Sequence, residues 1–101
     1  MPKPQDVNPH NFHVDRVLFT SGGFSIAWGT WEGHEMRLGM RWDGNDDGDA
    51  GYPKTFGHPV WFMVEDTLTV PLVKALLGCE GARNSDILSV LKDKFGVAGS
   101  P

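Results

Sequence analysis

Three runs of alternating apolar and polar residues, 13–20 (HVDRVLFT), 24–30 (FSIAWGT) and 34–42 (HEMRLGMRW), are separated only by Ser21-Gly22-Gly23 and Trp31-Glu32-Gly33. The alternation predicts strands, and glycine-bearing connections of two or three residues predict hairpins between them. Register follows from the turns. With Gly22 and Gly23 as the loop residues, Phe19 faces Ile26 and Val17 faces Trp28, with all four on one side. At the second turn, a two-residue loop would pair Trp28 with Arg37 and Ile26 with Gly39, setting charge beside the apolar row. A three-residue loop of Trp31, Glu32 and Gly33 instead pairs Trp28 with Met36, Ile26 with Leu38 and Phe24 with Met40. It also puts Gly33 where a left-handed backbone is required. The three-residue loop is therefore expected.

In this register Met36, Leu38, Met40 and Trp42 point to the core. The other face shows Arg16, Leu18 and Thr20, then Ser25, Ala27 and Gly29, then Glu35, Arg37, Gly39 and Arg41. Ala27, Gly29 and Gly39 form a low floor beside which Arg16, Arg37 and Arg41 rise, offering guanidinium forks to a flat partner or an anionic group. The competing account is a solvated face on which Asp15 and Glu35 neutralise the arginines, as antiparallel sheets commonly leave one face to water.

Beyond Trp42 the pattern breaks. Residues 43–58 form an acidic, glycine-dense loop, longer than most in compact domains. The loop also carries Tyr52, Phe56 and His58, which a mere linker does not need. Residues 59–64 (PVWFMV) are expected to form a fourth strand, whose pairing the pattern does not specify. The period then turns helical. Thr69 is the expected N-cap of a short helix with Leu72, Val73, Leu76 and Leu77 on one face and Gly78 as its stop. A second helix is expected over 85–95, capped by Asn84 or Ser85, with a stripe of Ile87, Leu88, Leu91 and Phe95. Strands followed by helices predict an α+β fold: an antiparallel meander of about four strands with two C-terminal helices packed on one face. The expected organisation is an extended or disordered lead-in over 1–10, one domain over 11–96 and a frayed tail over 97–101.

The net charge of −4 excludes a duplex nucleic-acid binder, which needs clustered Lys and Arg. The single cysteine, Cys79, allows no intrachain disulfide. With no apolar run near 20 residues and no leader-like amino terminus, a soluble cytoplasmic protein without membrane contact is expected.

The motifs give little chemistry. Asp43, Asn45, Asp47, Gly48 and Asp49 match the first half of an EF-hand calcium loop, but Lys54 stands where the closing glutamate belongs and the flanks are not helical. A solvated acidic turn is the simpler account. His10 and His13 are spaced for a metal only on a helix, which Pro9 opposes. Cys79 has no histidine near it in sequence to activate it. No cofactor or metal is expected. What remains is aromatic: Trp31, Tyr52, Phe56 and Trp61 flank loops, where such residues serve as interface anchors. The expectation is a small non-enzymatic binding or protein-interaction module that forms a homodimer. Its contact residues would be Trp31, Arg37, Arg41, Tyr52, Phe56, His58 and Trp61, with Trp31 and Trp61 central and Arg37 and Arg41 at the rim. One alternative is a small enzyme or ligand-binding domain with a pocket between the 43–58 loop and the sheet, using His58 as acid or base beside Arg37 or Arg41. The other is a calcium module built on Asp43–Asp49.

Overall fold

The computed structural model describes residues 3–44 and 48–95. Strands β1 (Phe12–Ser21), β2 (Phe24–Trp31) and β3 (Glu35–Trp42) follow one another as antiparallel neighbours. A small hairpin of β4 (Lys54–Thr55) and β5 (His58–Pro59) stands apart, and β6 (Phe62–Met63) returns to the outer side of β3. The described residues thus form a sheet of order β1-β2-β3-β6. Helices α1 (Thr69–Leu76) and α2 (Asn84–Phe95) complete the α+β fold.

Gly22 and Gly23, at φ 60° and 80°, close β1 on β2 as a two-residue turn, and Phe19 pairs with Ile26 as the turn dictates. Further along, β1 departs from the expected ladder. Irregularities between Val17 and Phe19 and between Val14 and Arg16 leave Val17 opposite Ala27 and Arg16 opposite Trp28. Each extra residue in one strand reverses the facing of the residues beyond it. Leu18 consequently sits fully buried in the helix-side core, and Arg16 donates from Nη1 to Ser89 Oγ of α2 at 2.5 Å. Neither belongs to the opposite face, where the uninterrupted alternation had put them.

The second hairpin has a three-residue loop, but its members are Glu32, Gly33 and His34, so Trp31 pairs with Glu35, Trp28 with Leu38, Ile26 with Met40 and Phe24 with Trp42. Every pair is displaced by two residues from the expected register. An even displacement preserves facing, so Leu38 is buried among Ile26, Trp28 and Val64 as the alternation requires.

The sheet is covered on both sides. Helix-side residues Ile26, Trp28 and Leu38 pack against Val73 and Leu76 of α1 and Ile87 and Val90 of α2. On the opposite side, Val7, Phe12, Ala27 and Trp61 form a second cluster, with the Phe12 and Trp61 rings 5.8 Å apart. The low floor is real, but the chain's own Trp61 occupies it: a Cβ on Gly39 would lie 3.1 Å from the Trp61 Cβ. Trp61 Nε1 donates to Val7 O at 2.7 Å, which ties residues 3–10, with their 3-10 turn at Pro4–Asp6, to the sheet.

The expected fourth strand is divided. Pro59 belongs to the hairpin, Trp61 turns into the second cluster, and only Phe62 and Met63 pair with β3, opposite Met40 and Gly39. The outer edge of β1 is engaged as well: Thr20 N donates to Gly81 O, Arg83 N to Leu18 O, and Val14 N to Asn8 Oδ1. Before α1, Glu65 caps a 3-10 turn at Asp66–Leu68 by accepting from Thr67 N, and that turn runs straight into the helix. Thr69 is therefore a buried helical residue and not the cap. On α2 the buried stripe passes through Ile87 and Val90, while Leu88 faces solvent. Residues 97–101, the expected tail, lie outside the described residues.

Candidate functional site

Arg41 organises the 48–60 segment. Strand alternation points it to the face away from the helices, where the segment folds over it and leaves it 1% exposed. Its Nη1 donates to Val60 O at 2.5 Å and Pro53 O at 3.3 Å, and its Nη2 donates to Ala50 O. One guanidinium thus ties down three carbonyls spread over 11 positions of chain (Ala50 to Val60). Burial lowers the Arg41 pKa, and Asp43 and then Asp49 oppose that shift. Beside it, Asp43 is also buried, accepting from Ser25 Oγ at 2.8 Å while its backbone N donates to Gly23 O. Desolvation pushes the Asp43 pKa up, against the Ser25 hydrogen bond and the Arg41 charge. Gly51, at φ 76°, lets the chain pass: a Cβ there would lie 2.1 Å from Trp42 O and 2.6 Å from Arg41 Nη2.

These contacts remove two residues from the expected contact surface. Arg41 spends its fork on backbone carbonyls, and Trp61 is a core residue 6% exposed. Neither can sit at the rim or centre of an interface: Arg41 is enclosed by the loop whose carbonyls it holds, and Trp61 packs with Val7, Phe12 and Ala27 against Gly39. Arg37 and Trp31 do meet at the surface. The Arg37 guanidinium lies 5.0 Å from the Trp31 ring centroid, and its Nε donates to Glu35 Oε2 at 2.5 Å.

The remaining aromatics assemble elsewhere. Trp42 and Tyr52 exchange backbone hydrogen bonds of 2.7 and 3.0 Å, holding the loop's return against the end of β3. With Phe24, Met40, Pro53 and Phe62 they line a groove of about 170 Å³. Phe24 and Trp42 meet edge to face at 4.7 Å. Trp42, Tyr52 and Phe62 remain 55%, 68% and 62% exposed. Sequence reasoning found Tyr52 but not Trp42 or Phe62. The available signal was length: the core-facing row of β3 extends from Met36 to Trp42, and its outermost members, Met36 and Trp42, are both left exposed. Beyond Pro53 the chain forms the β4–β5 hairpin, whose turn residues Phe56 and Gly57 both have positive φ, 51° and 80°. Phe56, at the tip, is 96% exposed.

His58 lines a separate cleft of about 490 Å³ with Asp6, Asn8, His10 and Phe56; Arg37 and Arg41 are not among its lining residues. In the acidic run, Asp43 turns inward to Ser25 and Asp49 Oδ1 accepts from Gly51 N, while Asn45–Asp47 lie outside the described residues. Cys79 is exposed, its thiol donating to Ala75 O. Among the described residues, no helix is long and apolar enough to cross a membrane. No family model, no curated protein and no solved structure matches this chain.

Proposed function

We propose that the protein is a non-enzymatic interaction module whose contact surface is the aromatic groove at the outer end of β3. The observation that carries this reading is the exposure of Trp42, Tyr52 and Phe62 around one apolar depression. Large exposed side chains normally stand singly, and a contiguous apolar patch marks a binding site. Aromatic rings held by backbone bonding lose little conformational entropy on binding, which suits them as anchors. The groove offers no titratable side chain apart from Tyr52 and the enclosed Arg41, so it supports adhesion better than chemistry. The cleft shared by His10 and His58 favours the ligand-binding alternative only in bringing two imidazoles and Asp6 to one depression.

Photo-crosslinking tests the proposal. A benzophenone side chain at position 62 should yield discrete protein adducts that Tyr52→Ser abolishes. The same group at position 88, an exposed apolar site on α2, should not. Equal and diffuse labelling from both positions would refute the assignment.

A further inference from the structure

We infer that the groove receives Phe56 of a second copy of this chain, in a two-fold exchange of hairpin tips. This rests on the reading of the groove as a contact surface and names its partner. Phe56 combines two unfavourable features. It occupies a left-handed backbone position at φ 51°, which a bulky side chain rarely adopts, and its ring is 96% exposed. Two-residue turns of this kind favour asparagine before glycine. A phenylalanine so exposed gains little burial within its own chain, but a projecting ring is suited to filling an apolar hole.

The same chain supplies such a hole. Apolar cavities of about 150 Å³ hold a benzene ring, and the groove measures about 170 Å³. Its location is what makes exchange reciprocal. Tyr52 and Pro53 line the groove at the base of the hairpin, and Phe56 lies three residues on at its tip, a span of roughly 10 Å at strand rise. Two such hairpins laid antiparallel put each tip over the other's base, which is the self-complementary arrangement a two-fold interface requires. Arg41 prepares the hairpin for this role, because its bonds to Pro53 and Val60 fix both strands at their root.

Sedimentation equilibrium from micromolar to several hundred micromolar protein is the test. Wild type should approach twice the chain mass of 11.1 kDa. Phe56→Asn should weaken dimerisation by about a hundredfold or more, as loss of two symmetric anchors implies, while melting at the same or a higher temperature because asparagine tolerates the left-handed turn. Phe62→Ser should weaken it from the groove side. Mixing the two variants should restore a complex of intermediate strength, since one intact tip then meets one intact groove. A wild type that stays at 11.1 kDa throughout overturns the inference, as does a dimer indifferent to Phe56→Asn. In either case, adducts from position 62 that persist in Phe56→Asn would leave the groove assignment standing with a different partner.

Discussion

Replacing Arg41 by methionine keeps most of the buried aliphatic stem and removes the guanidinium, and with it the bonds to Ala50, Pro53 and Val60. Hydrogen bonds to charged groups contribute about 1.5–3 kcal/mol each, so three set a ceiling near 5–9 kcal/mol. Two effects reduce it. The variant no longer has to desolvate a cation, and a loosened loop lets water reach the freed carbonyls. A net loss of about 2–4 kcal/mol is therefore expected, read as a lower urea midpoint with little change in slope. Arg41→Lys should fall between, because one ammonium on a flexible stem cannot reproduce a planar fork to three acceptors. Hydrogen exchange gives the local readout: the Tyr52 and Val60 amides, bonded to Trp42 O and Pro53 O, should exchange much faster in Arg41→Met. The Leu38-centred core amides should change only with global stability. A cost below about 1 kcal/mol with unchanged exchange at Tyr52 and Val60 would show that the segment holds itself without Arg41, and the reasoning would be wrong.

Three further outcomes are expected. Burial raises the Asp43 pKa above its ordinary 3.8, so the folded state holds that proton more tightly; the associated stability is complete below the ordinary value and lost as pH rises through the folded one. The stability of wild type relative to Asp43→Asn should thus decline over that window, whereas the Thr67 hydrogen bond to Glu65 and the Lys94 bond to Asp66 lower those pKa values and act in the opposite sense in both proteins; a flat difference across pH would count against an enclosed Asp43. Leu38→Ala, at a fully buried position, should cost about 2–5 kcal/mol, while Arg37→Ala at the surface should cost under about 1 kcal/mol; comparable urea midpoints for the two would contradict the assigned facing. Millimolar calcium should leave the melting temperature unchanged, since Asp43 is turned inward to Ser25; a chelator-reversible rise of several degrees would revive the calcium loop.

Local rules in the sequence were enough to determine the meander, the helical ending and most facings. Glycines at positive φ define hairpin turns without help from distant residues, and period-two alternation assigns facing in a way that survived the two-residue displacement between β2 and β3. The irregularities in β1 had no such local mark, because nothing in HVDRVLFT distinguishes an inserted residue from a paired one, and the gain from burying Leu18 exists only once α1 and α2 pack on the sheet. The site was the least legible part. Arg41 became a clamp and not a contact residue because carbonyls 9 to 19 positions away converge on it, and Trp61 became core because Gly39 and Val7 offered its ring a floor and its Nε1 an acceptor. Composition announced an aromatic surface; which rings reach it was decided by the tertiary structure, since burial depends on the elements available to cover each face and the two short helices leave the far end of β3, at Trp42, uncovered.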